Sequence, residues 1–146
     1  ESWFYPGGLL KDKTKMFIEQ TSCPVGVFVN RGFVKATNII VTITTPQDLF
    51  LLGYAQRLAK SNHGSIGIVC NPPNAQDELV MEDVIRKFNE ETKHSTLLPD
   101  KKLTSDILSK YNFMLISYPT WNVLSESREE ALQKMPSTLI LNKASK

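Results

Sequence analysis

At 146 residues, with 41% hydrophobic and 22% charged side chains, the chain has enough apolar matter to bury one ordinary globular core. A formal net charge of +2, carried by lysines that are spread rather than blocked, gives no case for a nucleic-acid or membrane-surface partner. No apolar run approaches the ~18 residues of a membrane span, no basic start leads into a signal-type stretch, and two cysteines are too few for a disulfide framework.

Residues 9–20 read as a helix with Leu10, Phe17 and Ile18 apolar. Ahead of it the aromatics Trp3, Phe4 and Tyr5 are expected to mark a cut edge that once packed against something. The run Cys23-Pro24-Val25-Gly26-Val27-Phe28-Val29-Asn30-Arg31-Gly32 follows. It reads as a buried strand from Val25 to Val29, opened by a proline and closed by a turn in which Gly32 takes a positive φ. A second strand pattern, Asn38 to Thr44, comes at once, with no crossover helix between them. The first strand therefore ends one unit and the second begins another.

From Asn38 onward, short β-branched runs alternate with longer amphipathic segments, the pattern of a parallel sheet with helices on its faces. A helix is predicted over 46–60, with Leu49, Leu52, Ala55, Leu58 and Ala59 at core spacing and Gly64 as its closure. A strand over 65–70 and a loop through Asn71-Pro72-Pro73-Asn74 come next. Then follow a helix over 77–93, with Met81, Val84, Ile85 and Phe88 on one stripe, and a short strand over 95–98. A helix over 103–111 turns Ile107, Leu108 and Tyr111 inward and leads to a strand over 113–117. The last crossover holds a helix over 127–135, with Ser127 and Glu130 at capping-box spacing, before a strand over 137–141 and a polar, loose tail. Cys23 and Cys70 fall at strand ends and read as buried, unreactive thiols in a reducing compartment.

The run from Cys23 to Gly32 resembles the cytoplasmic tail of monovalent cation/proton antiporters of the second cation/proton antiporter family, and the order of elements resembles it over essentially the whole chain. In that family two degenerate universal-stress-protein-like halves follow the membrane transporter. The resemblance implies that residues 1–34 are the last helix and strand of a preceding half, that 38–146 are a complete half, and that together they form one compact domain. The implied fold class is α/β: a three-layer universal-stress-like (adenine nucleotide alpha hydrolase-like) fold with a five-stranded parallel sheet in the order 3-2-1-4-5. One extra antiparallel edge strand, Val25 to Val29, would pair with residues 137–141 and cover an apolar edge that otherwise invites association.

In such a sheet ligands bind beyond the carboxyl ends of the strands, where strand order reverses. That sets the loops 44–48 and 118–122 opposite one another and makes Thr44, Thr45, Asp48, Tyr118 and Trp121 the candidate ligand cleft. A structural role is open for each: Thr45, Pro46 and Asp48 suit a helix cap, and the rings of Tyr118 and Trp121 suit packing as well as stacking on a planar ligand. Nucleotide-binding universal-stress proteins carry G-x-x-G, nine residues, then G-S or G-T, because glycines let backbone amides approach phosphates. An Asp loosely matching Asp48 contacts the adenine in those proteins. Between Ser117 and Ser137 this chain has no glycine, so ATP is not expected and no cofactor is predicted.

His63 and His94 sit at or near helix C-termini, outside any H-x-x-x-H pair or Cys/His cluster of metal-ligand spacing, and neither a G-x-S-x-G elbow nor a P-loop occurs. A hydrolase built on Cys70 and a distant histidine is the enzymatic alternative; the paired glutamates read as solvated helix faces. No catalytic or metal residue is predicted. The resemblance implies a non-catalytic regulatory and assembly domain on the cytoplasmic face of the cell membrane, serving a Na+ or K+/proton antiporter in cation transport and pH homeostasis. Its implied partners are the transporter domain of the same chain, a second tail, and a small-molecule or nucleotide effector. A stand-alone universal-stress-type nucleotide-binding sensor is the alternative, and the missing glycine loop and N-terminal half-unit weigh against it. The histidines are candidates to report pH, or simply to complement the helix ends.

Overall fold

Runs in which nearly every residue is apolar belong to strands covered on both faces, and Asn38–Ile43, Ser65–Cys70 and Phe113–Ser117 are almost wholly buried. In the computed structural model, which describes residues 25–32, 35–99, 102–126 and 135–142, these runs form the centre of one six-stranded sheet. The strands are β1 (Val25–Val29), β2 (Asn38–Ile43), β3 (Ser65–Cys70), β4 (Ser95–Leu97), β5 (Phe113–Ser117) and β6 (Ser137–Asn142). The helices among the described residues are α1 (Leu51–Asn62), α2 (Ala75–Glu91), α3 (Ser105–Leu108) and α4 (Tyr118–Glu126).

Across the sheet the order is β1-β6-β5-β2-β3-β4. Every pairing from β2 to β6 is parallel, and β1 alone runs antiparallel, on β6. Counted from β2, the parallel strands stand in the order 3-2-1-4-5, and the added edge strand raises the count to six. Val25 lies opposite Asn142 and Val29 opposite Thr138. Beyond that ladder the Arg31 N–H donates to Ser137 Oγ at 2.8 Å, and Gly32, at φ 82°, donates its N–H to Asn30 Oδ1 at 3.0 Å. The turn thus uses the positive φ for which a glycine is suited.

Side-chain alternation divides the core into two layers. Ile39, Val41, Ile43, Ile66, Ile68 and Leu115 pack against Leu51, Leu52 and Ala55 of α1 and Met81 and Ile85 of α2. On the other face Ile40, Val69, Met114, Ile116 and Ile140 pack against Ile107 and Leu108 of α3 and Tyr118 and Trp121 of α4. A sheet between two helical layers is a three-layer α/β arrangement. Each fully buried Ile or Leu here is worth about 1.5–3 kcal/mol of apolar transfer.

Several elements differ from the sequence expectation, each for a local reason. The segment expected as one helix over 46–60 is a 3-10 turn, Pro46–Phe50, followed by α1. The Asp48 carboxylate reaching back to Thr44 and Thr45 holds that turn tight. Closure of α1 falls to His63, at φ 54° and ψ 43°, and not to Gly64. Gly64 is required for another reason: a Cβ there would lie 2.8 Å from the Thr37 carbonyl oxygen and 2.9 Å from that of Ala36. The helix expected over 77–93 runs from Ala75 to Glu91, because Asn74 caps it by accepting the Asp77 N–H at 2.8 Å.

The helix expected over 103–111 shrinks to α3. Thr104 Oγ1 starts it by accepting the Ile107 N–H at 3.2 Å, and Ser109 Oγ, donating to the Asp106 carbonyl at 2.7 Å, competes with its continuation. The stretch 118–122, expected as a loop, opens α4 instead. Pro119 occupies the first turn, where its missing N–H costs nothing, and Ser117 Oγ accepts the Thr120 N–H at 3.3 Å as the cap. The helix expected over 9–20, most of that over 127–135, Cys23 and the tail after Asn142 lie outside the described residues. No helix among the described residues is long and apolar enough to cross a membrane.

Candidate functional site

The strand order reverses between β2 and β5, which pair in parallel with Ile39 opposite Phe113 and Val41 opposite Leu115. Their carboxyl ends feed two structures that diverge to opposite faces: the 3-10 turn after β2 and α4 after β5. Between them opens a cavity of about 760 Å³, walled by Thr44, Thr45, Asp48, Asn71, Ser117 and Thr120 among others. Such a crevice is where open α/β sheets take ligands.

Asp48 is its centre. Although a carboxylate, it is only 3% exposed, and all its hydrogen bonds converge on Oδ2. The N–H groups of Thr44 and Thr45 donate from 2.9 and 3.3 Å, while Thr44 Oγ1 and Thr120 Oγ1 each stand 3.0 Å away. The two hydroxyl oxygens are themselves 2.8 Å apart. Two hydroxyl hydrogens serve these three contacts, so two of the three sides at most carry a hydrogen bond at once. A buried charge is tolerable only when hydrogen-bonded in this way.

The triangle stitches the end of β2 to the first turn of α4 across the switch point. Among the described residues no group donates to Oδ1, the acceptor that remains for a donor-bearing ligand. No group of three or more His, Cys, Asp or Glu suited to a metal ion occurs among the described residues.

Thr44, Thr45 and Asp48 thus meet at the cavity wall, as the sequence placed them. Tyr118 and Trp121 do not join them. They are 6% and 1% exposed and pack among Ile40, Met114 and Ile116 under α4. No known protein family and no curated protein matches this chain. The residues that sequence reasoning passed over are Thr120, Ser117, Asn71 and Asn142, all on the cavity wall. Asn71 and Asn142 follow or end strands β3 and β6, so a rule that collects polar residues at the carboxyl end of every parallel strand would have found them.

Cys70 is buried at the end of β3, in register with Ile43 of β2 and in the same core layer as Leu51 of α1. His63 and His94 lie at the amino ends of the strands, on the wall of a different cavity.

Proposed function

We propose that this chain is a non-catalytic regulatory and assembly domain of a monovalent cation/proton antiporter of the second cation/proton antiporter family, built as a universal-stress-like half with a strand contributed by the half before it. The observation that carries the reading is the antiparallel seating of β1 on β6. A five-stranded parallel unit beginning at Asn38 has its last strand covered by a strand that arrives from earlier in the chain without a crossover helix. That is what a tandem of two halves, reduced to one and a fragment, would leave. Glycine is absent between Ser117 and Ser137, and α4 starts directly on β5, so the phosphate loop of nucleotide-binding relatives has no counterpart here. Both features support a binding or assembly role over a nucleotide sensor.

On this reading the module acts by differential free energy: a ligand or second tail that favours one domain arrangement biases the attached transporter. The working location is the cytoplasmic face of the cell membrane. Two measurements test it. The reading frame upstream of Glu1 should encode about twelve apolar spans, and a frame lacking them overturns the assignment. In a thermal-shift panel of nucleotides, cyclic dinucleotides and monovalent cations, a rise with ATP that Asp48→Asn abolishes would move the chain to the nucleotide-sensor class.

A further inference from the structure

We infer that the opposite end of the sheet carries a second site, a cationic basin between the carboxyl ends of α1 and α2 that binds a small soluble oxyanion and holds it more tightly as pH falls. It does not depend on the transporter reading. The basin is a cavity of about 840 Å³ whose charged and titratable lining residues are Arg57, Lys60, His63, Lys93, His94 and Glu91. Three permanent cations face one carboxylate, a balance of +2 that becomes +4 when both imidazoles are protonated. The two helix ends oppose this with about half a negative charge each, less than the side chains supply.

Backbone geometry gives the second, independent argument. Among the described residues only two non-glycine residues have positive φ, and both are these histidines, at 54° and 59°. A side chain in the left-handed region costs about 1–2 kcal/mol, which glycine avoids. At His63 that conformation closes α1, a task glycine or asparagine would do at lower cost, so the imidazole is the part the cap does not require. The two positions are locked to one another. The His94 carbonyl accepts the Ile66 N–H at 2.8 Å just after His63 and Gly64, and Gln56 Nε2 donates to Thr92 Oγ1 at 3.1 Å across the basin. Two histidines from separate helix ends are thereby brought to one cavity.

The cations are also available. On α2, Arg86 bridges Asp83 at 2.6 Å and Glu90 at 3.3 Å, and Lys87 reaches Asp83 at 3.4 Å. Arg86 and Lys87 hold the Asp83 carboxyl below its usual range. Lys60, Lys93, His63 and His94 have no ion pair among the described residues, and the Arg57 guanidinium rests on the Tyr54 ring, 4.7 Å from its centre. A protonated imidazole adds charge to a basin already positive. Glu91 is the one carboxylate on this wall that opposes it.

The test uses the 146-residue chain and sulfate, a probe whose own charge is constant between pH 6 and 8, followed by amide NMR at fixed ionic strength. Shifts should map to residues 56–66 and 91–94, with affinity about tenfold higher at pH 6 than at pH 8 and weakening as sodium chloride is raised. Asparagine also tolerates the left-handed region, so the double variant His63→Asn, His94→Asn should keep the fold and lose the pH dependence. Lys93→Gln should weaken sulfate at both pH values. Amides of the basin that do not respond to sulfate, or a pH dependence unchanged in the double variant, overturn the proposal. So does a response to vesicles of anionic phospholipid in the absence of any response to sulfate.

Discussion

The two ends of this sheet handle charge in opposite ways. At the carboxyl ends of the strands a single carboxylate is buried and nearly all of its bonding capacity on one oxygen is taken up by the protein itself. At the amino ends several cations stand exposed around a cavity with one carboxylate, Glu91, on its wall and no ion pair to them among the described residues. The difference teaches that a charged group becomes structural when its neighbours are donors fixed by the backbone. It stays available for a ligand when its neighbours carry like charge.

The comparison is sharpened most by removing Asp48. Asp48→Ala leaves the Thr44 and Thr45 N–H groups without their acceptor and reduces the link between β2 and α4 to the Thr44–Thr120 hydroxyl pair, and should cost about 2–4 kcal/mol in urea unfolding. A change below about 0.5 kcal/mol would mean the triangle is not structural. Next comes Gly64→Ala, in which the added methyl meets the Thr37 and Ala36 carbonyls. A loss of about 1–3 kcal/mol is expected, read from the same curves.

At the cationic end the sign should reverse. His63→Gly and His94→Gly each relieve a left-handed side chain and should stabilise the protein by up to about 1 kcal/mol, raising the melting temperature by a few degrees. Destabilisation by either would show that the imidazoles hold the fold and would remove the strain argument. The smallest effect concerns Tyr111, which lies over Gly67. Burial pushes its phenol up from the ordinary value. The unfolded chain therefore loses that proton first. The stabilisation is complete below about pH 10 and declines as pH rises from there toward the folded value. Tyr111→Phe should remove that decline in a series of unfolding curves between pH 9 and 11.

Sequence by itself determined the strands, because a run of Ile and Val as dense as Ile39 to Ile43 has few other ways to be buried. The Phe113–Ser117 strand could be read with its observed bounds, and the turn at Gly32 with its φ sign. It also placed Thr44, Thr45 and Asp48 on a cavity wall, since the end of a parallel strand at a switch point is a topological address. The start of α4 was legible too, in Ser117 followed two residues later by proline, but the bulky Tyr118 and Trp121 read equally well as loop rings. Only the tertiary structure decided what those rings do, because burial under α4 depends on which strand lies beneath. Likewise only the fold makes Thr120 a partner of Asp48 and brings His63 and His94 to one cavity. Such pairs join residues far apart in the chain, and local patterning carries no information about distances that the sheet order alone creates.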